Sequence, residues 1–226
     1  MSTSNPSPPA HSGFDRGAAV TRSLLGWGIV AGPFYLIIGL AQALTRDGFE
    51  LSEYPLSLLM LGDFGWIQVV NLALTGLMVL AAAVGFGRVM HKRRVAVPLG
   101  IYGVCMLVSA AFPPDPMDGF PPGSQAPDTI STTGLVHFGA GTVGFIALAV
   151  AAALAARWFV GQDDSGTARL SYAAAAVIVV GFVGGGALAN SAAGVAALWI
   201  VVVVGFAWLL VASLRAYHIA PHPDGR

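Results

Sequence analysis

The chain has 226 residues, of which 56% are hydrophobic and only 10% are charged, whereas a soluble domain carries about 25% charged residues. Its 11 basic and 11 acidic residues cancel, so no overall field attracts nucleic acid. The composition excludes an ordinary soluble domain and gives no nucleic-acid partner. The single cysteine, Cys105, excludes a disulfide within the chain.

The opening segment is rich in Ser, Pro and small residues and has too few large apolar groups to order itself. We therefore predict a flexible cytoplasmic tail over residues 1–22, a membrane domain over 23–215 and a second cytoplasmic tail over 216–226. The first apolar run lacks a small-residue cleavage site, which predicts a retained helix rather than a signal peptide.

Six apolar runs follow along the chain, each close to the ~20 residues that a membrane-spanning helix needs. The sequence thus predicts an all-α bundle of six transmembrane helices. Their predicted bounds are 24–44, 65–86, 95–112, 134–156, 170–188 and 192–214.

The placement of arginine predicts the orientation of this bundle, because cytoplasmic loops retain an excess of Lys and Arg. With the N-terminus inside, ten of the 11 basic residues lie in inner segments and only Arg46 lies outside. Seven of the 11 acidic residues lie outside. We therefore expect both termini in the cytoplasm and a multi-pass protein of the cell membrane, with the lipid bilayer as its surroundings.

Two long outer connections, over about residues 45–64 and 113–133, are long enough to cover the outer mouth of the bundle. In the first, "LSEYPLSLLMLG" fits a short helix at the membrane interface and equally an amphipathic connector, because Pro55 interrupts it. The second contains "FPPDPMDGFPPGS", residues 112–124. Its prolines resist both helix and strand, which predicts a rigid outer cap.

Polar side chains inside the apolar runs need a reason, since they normally face the bundle interior or a watery cavity. They are Gln42, Gln68, Asn71, Ser109, His137 and Asn190. Each lies near the outer end of its predicted helix, so together with Asp115 and Asp118 they are expected to line one outward-facing pocket. Interhelical hydrogen bonding is the competing interpretation. A single span histidine with two loop aspartates is too few ligands for zinc, so no metal site is predicted.

Glycines four residues apart allow membrane helices to approach closely. Gly28 and Gly32 have this spacing, and so do Gly181 and Gly185. We interpret both pairs as packing positions. The same faces would also permit a homo-oligomer.

Two stretches carry a family resemblance. They contain Pro55, Ser57, Gly65, Trp66, Gln68 and Asn71 in the first, and Asp115, Pro116, Gly119, Pro121 and His137 in the second. Over about residues 24–214 the chain resembles the bacterial integral membrane proteins grouped as domain of unknown function 998. The resemblance implies fold and membrane location but no activity or cofactor. Tyr54 departs from the pattern, which has a His before the proline.

Two functions remain as hypotheses. In the first, the protein binds a lipid, a small hydrophobic ligand or a partner at its outer mouth, with Ser57, Trp66, Gln68 and Asn71 as ligand-binding candidates. In the second, it is a small membrane enzyme acting on lipid or isoprenoid substrates, in which His137 with Asp115 or Asp118 transfers protons. General acid–base catalysis requires such groups to meet at one reacting atom, and residue order does not determine whether they do.

Overall fold

The computed structural model describes residues 14–90, 93–188 and 191–224. Within them the chain forms six α-helices, each long and apolar enough to cross a membrane. They are α1 (Arg16–Thr45), α2 (Gly65–Val89), α3 (Arg93–Ala111), α4 (Thr132–Val160), α5 (Ser165–Ala187) and α6 (Ala192–Ile219). The predicted all-α, six-helix architecture is confirmed.

The helices form a closed ring in sequence order. Each helix packs against the next one along the chain, and α1 packs against α6 to close the ring. Helix α6 also contacts α2 and α4, and its Trp208, Leu209 and Ala212 are almost fully buried. The core therefore lies inside the ring, with α6 leaning toward its centre.

The first and last helices are longer than the sequence predicts. Helix α1 begins at Arg16, within the predicted tail, because the Asp15 carboxylate accepts a hydrogen bond from the Ala18 N–H at 3.0 Å and caps it. Helix α6 continues to Ile219, and the Arg22 guanidinium donates to the Ala220 carbonyl at 3.1 Å. Hydropathy detects only the part of a helix inside hydrocarbon, so it misses polar turns that continue beyond it.

The paired glycines bring helices together within the chain. A Cβ at Gly28 would lie 2.9 Å from the Ala82 Cβ and would overlap the Ser213 hydroxyl, and a Cβ at Gly32 would lie 2.9 Å from the Phe206 Cβ. Gly181 and Gly185 likewise contact α6. The prediction of close packing is confirmed. Because α6 and α2 cover these faces, the glycines give a homo-oligomer no separate support, and it stays a prediction.

Both long connections lie at the same end of the ring, which we call the long-loop end. They cover residues 46–64, between α1 and α2, and 112–131, between α3 and α4. The first contains a short 3₁₀ helix, Leu56–Met60, whose Leu58 and Leu59 are fully buried. This segment is therefore neither a surface helix nor a free connector. It inserts its leucines into the end of the bundle.

Candidate functional site

A cavity of about 350 Å³ lies inside the ring toward the long-loop end. All six helices contribute to its wall, which is mainly apolar. Its polar lining residues are Tyr35, Ser57, Tyr102, Ser109, Asp115 and His137. Ligand pockets commonly have 300–1,000 Å³, mostly apolar walls and a few polar groups, so this cavity has the size and character of a binding site for a small molecule.

Asp115 lies in the Pro-rich connection and meets the beginning of α4. Its Oδ2 accepts a hydrogen bond from the Ser131 N–H at 2.9 Å, and Ser131 is the N-cap of α4. Gly134, one turn further on, has no side chain to keep the carboxylate away, since a Cβ there would overlap Asp115 Oδ2. The N-terminal end of a helix favours negative charge. Glycine at 134 and the cap at 131 thus hold a carboxylate on the cavity wall.

His137 is one turn deeper on α4 and lines the same cavity. Its Nδ1 lies 2.8 Å from the Phe112 carbonyl and 3.2 Å from the Ser109 carbonyl, both at the end of α3. Carbonyl oxygens only accept, so Nδ1 carries the proton and donates it. In the neutral imidazole Nε2 is then the acceptor, and it has no hydrogen-bond partner among the described residues. His137 therefore links α4 to the end of α3 by hydrogen bonds, and its Nε2 remains available as a base.

Gln68 and Asn71 lie elsewhere, in a buried network between α1 and α2. Gln68 Oε1 accepts from Gln42 Nε2 at 2.8 Å and from Asn71 Nδ2 at 3.1 Å. Gln68 Nε2 donates to the Tyr35 hydroxyl at 3.3 Å, and Asn71 Nδ2 also donates to the Tyr35 carbonyl at 3.1 Å. Tyr35 alone of these four lines the cavity. The expectation that all the span polar groups share one pocket is therefore wrong for Gln42, Gln68 and Asn71.

Of three other predicted site residues, one lines the cavity and two lie outside it. Ser57 lines the cavity from the 3₁₀ helix. Trp66 is 63% exposed on the first turn of α2 and does not line it. Asp118 also lies outside, where its Oδ1 accepts from the Ala126 N–H at 2.8 Å. Asn190 lies outside the described residues.

An aromatic cluster of Phe49, Tyr54 and Phe120 locks the two long connections together above the cavity. The ring centroids of Phe120 lie 5.1 Å from Phe49 and 5.5 Å from Tyr54, separations typical of aromatic pairs. The Tyr54 hydroxyl donates to the Asp118 carbonyl at 3.0 Å, and the Tyr54 carbonyl accepts from Trp199 Nε1 at 3.2 Å. The Pro-rich stretch is thus a cap fixed to the first connection, and the first connection is itself hydrogen-bonded to α6.

A positive φ of 86° at Gly119 lets the cap approach Tyr54. A Cβ at this position would lie 2.7 Å from the Tyr54 hydroxyl oxygen, and L residues rarely adopt such a backbone angle. Tyr54, the departure from the family pattern, therefore has a packing role in this chain.

The polar side-chain groups of the cavity wall are one carboxylate, one imidazole, several hydroxyls, the Cys105 thiol and the Trp199 indole N–H. No group of three or more His, Cys, Asp or Glu side chains that could hold a metal ion is found in the described ranges. Asp115 is held at the beginning of α4 by the Ser131 N–H, and His137 lies one turn into that helix, so both line the same end of the cavity. Hydrogen bonding to a polar head and proton transfer are the two actions that this set supports.

Sequence reasoning missed Tyr35, Tyr102 and Trp199 as wall residues. Their signal was present, because Tyr and Trp combine an apolar body with a polar tip and occur here inside apolar runs. Cys105 is half-buried and also lines the cavity.

Six hydrophobic helices around a capped cavity define a multi-pass helical membrane protein in a lipid bilayer. The chain belongs to the family described as Protein of unknown function (DUF998), whose model matches residues 29–215. That match covers α2 to α5, the greater part of α1 and α6, both long connections and the residues that line the cavity. No curated protein and no solved structure matches the chain.

Proposed function

We propose that the protein binds a lipid or another small hydrophobic molecule in the cavity at its long-loop end. The observation that carries this proposal is an apolar space of about 350 Å³ with Asp115 and His137 on one wall. Ligand sites combine apolar walls with a few polar groups in this way. Ser57 is retained as a contact from the first connection, and the proposal does not need Trp66, Gln68 or Asn71.

Two exposed residues at the edge of the cavity support entry of the ligand from the bilayer. Ile130 and Phe138 border the cavity and are 58% and 56% exposed. Apolar surface at a membrane protein's perimeter faces lipid tails, so these exposed side chains offer a lipid-soluble ligand a route to the cavity.

Two glycines of α4 provide a matched test. A Cβ at Gly141 or at Gly139 meets nothing within 4 Å, but only Gly141 lines the cavity. Gly141→Leu should therefore fill the cavity, and Gly139→Leu should project away from it. We expect Gly141→Leu to weaken binding by at least about tenfold, roughly 1.4 kcal/mol, and Gly139→Leu to leave it unchanged.

The measurement is saturable cross-linking of a photoactivatable dodecanol to the protein in phosphatidylcholine nanodiscs, with the attachment point mapped by peptide mass spectrometry. Melting temperatures establish that both variants are folded. Equal cross-linking in the two leucine variants, or attachment spread evenly over the lipid-facing surface, would overturn the proposal.

A membrane enzyme acting on lipid or isoprenoid substrates is the second candidate. It is favoured by the Nδ1–H of His137, which leaves Nε2 free to accept a proton within reach of the cavity. His137→Asn tests it, because the asparagine amide can still donate toward the α3 carbonyls but offers no base. Lipid-ester turnover that survives in His137→Asn, or that falls as much in Asp118→Asn as in His137→Asn, would exclude this assignment.

We also propose that both termini are cytoplasmic and that the membrane is the cell membrane, on the strength of the ten-to-one distribution of basic residues. The test introduces a cysteine at the exposed Asp128 in a Cys105→Ser background. A membrane-impermeant maleimide should label intact cells. Labelling only after lysis would reverse the orientation.

A further inference from the structure

The charges around the cavity are unbalanced. Its wall includes the Asp115 carboxylate and no Lys or Arg. Asp115 makes no ion pair within the described part of the chain. Arg46, the basic residue of the long connections, instead directs Nη2 to the Leu61 carbonyl, and it does not line the cavity. An occupant therefore meets a negative group without a compensating positive one.

The hydrogen-bonding groups of the cavity favour a donor. Asp115 accepts, and His137 accepts at Nε2 because Nδ1 is committed to the α3 carbonyls. The indole N–H of Trp199, a natural donor, is already used by the Tyr54 carbonyl at 3.2 Å. The remaining polar groups are hydroxyls and the Cys105 thiol, which both donate and accept. None of them carries a charge that would offset an anion.

The size of the cavity limits the apolar part of the occupant. A volume of about 350 Å³ lies at the lower end of the range for ligand pockets, 300–1,000 Å³. It accommodates one chain or one compact apolar group more readily than the two acyl chains of a phospholipid.

We propose that the ligand is a single-chain amphiphile whose head carries O–H or N–H donors and no negative charge. The head donates to the Asp115 carboxylate and to Nε2 of His137, and the chain occupies the space between α3, α4, α5 and α6. Alcohols and primary amines have this chemistry. Phosphates, sulfonates and carboxylates do not. This inference rests on the proposed binding function and names the class of molecule bound.

Competition against the photoactivatable dodecanol separates the possibilities. The competitors are dodecylamine, dodecanol and dodecanesulfonate, which share one chain and differ in head charge. The assay uses the full chain in uncharged phosphatidylcholine nanodiscs at about pH 8, above the ordinary imidazole pKa of ~6.5. We expect the sulfonate to compete at least about tenfold more weakly than the amine, because like charges a few ångströms apart repel strongly in a partly buried site.

Asp115→Asn and Asp118→Asn form the matched pair of variants. Both substitutions keep an oxygen that accepts the native backbone hydrogen bond, from Ser131 N–H or Ala126 N–H. Asp115→Asn should reduce the preference for amine over sulfonate to within about threefold. Asp118→Asn should leave the wild-type preference intact.

The outcomes distinguish this inference from the function on which it rests. If no chain competes, the binding proposal itself fails. If all three heads compete equally, the cavity binds chains but the head selectivity is wrong. A preference that survives Asp115→Asn would also overturn the assignment to Asp115.

Discussion

Gly134→Ala tests whether the beginning of α4 is built to hold the Asp115 carboxylate. A Cβ at Gly134 would occupy the place of Asp115 Oδ2, so the carboxylate must leave the Ser131 N–H, which it now meets at 2.9 Å. Losing a hydrogen bond to a charged group costs about 1.5–3 kcal/mol. Alanine in a helix recovers up to about 1 kcal/mol relative to glycine. We expect a net loss of roughly 1–2 kcal/mol in the free energy of unfolding.

Gly139→Ala is the matched control on the same helix. A Cβ there meets nothing within 4 Å, so only the gain in helix propensity remains. This variant should be stabilised by about 0.5–1 kcal/mol. The free energies of unfolding of the two alanine variants should therefore differ by roughly 1.5–3 kcal/mol although they make the same chemical change.

Reversible unfolding in mixed detergent micelles, followed by circular dichroism, measures both variants. Gly134→Ala should also reduce the preference for the amine head, since its carboxylate is displaced. If Gly134→Ala is as stable as Gly139→Ala and keeps the wild-type head preference, the described contact between Asp115 and α4 does not govern the site.

Three further predictions concern stability. Ser171→Ala should lower the free energy of unfolding by about 1–3 kcal/mol, because the Ser171 hydroxyl accepts a hydrogen bond from the buried Trp208 indole N–H at 3.0 Å. Ser213→Ala should leave it unchanged, since the buried Ser213 hydroxyl has no partner in the described residues. Equal losses in the two variants would contradict this. Gln68→Leu should lower unfolding stability by about 1–3 kcal/mol yet leave dodecanol cross-linking unchanged, and a selective loss of cross-linking would place Gln68 in the site. Hydrogen bonds from the Thr167 N–H and hydroxyl hold the pKa of Asp164 below its usual range. The stabilisation that the Asp164 carboxylate provides is therefore complete above the ordinary pKa of ~4 and is lost as pH falls through the lower folded-state pKa. The melting temperature should fall more steeply below about pH 4 in wild type than in Asp164→Asn, and parallel curves would refute this.

The sequence was informative about the membrane architecture because the physical signal is long and redundant. Six runs near ~20 apolar residues leave little freedom in fold class. Gly28 and Gly32 predicted close packing because a missing side chain has one main use between membrane helices. The helix ends were harder to predict from the sequence, since Arg16 and Ile219 lie in turns that hydropathy assigns to tails.

The site was only partly predictable from the sequence. Asp115, His137 and Ser57 were identified from residue type and position, and they line one cavity. The side chains of Gln68 and Asn71 do not line this cavity. They form hydrogen bonds with Tyr35 and Gln42 instead. A polar residue near a helix end has the same sequence signal whether it faces a cavity or a neighbouring helix. Only the direction of the side chain, fixed by packing, separates the two roles.

Occupancy of the cavity by an amphiphile can be measured at the lone thiol of Cys105, which lies on the cavity wall. The rate of N-ethylmaleimide modification of wild-type protein in phosphatidylcholine nanodiscs should fall with dodecylamine, saturably and by at least about fivefold, since a bound chain covers the thiol. Dodecanesulfonate at the same concentration should protect far less. A modification rate that neither compound changes, in protein shown to be folded, would contradict occupancy of this cavity.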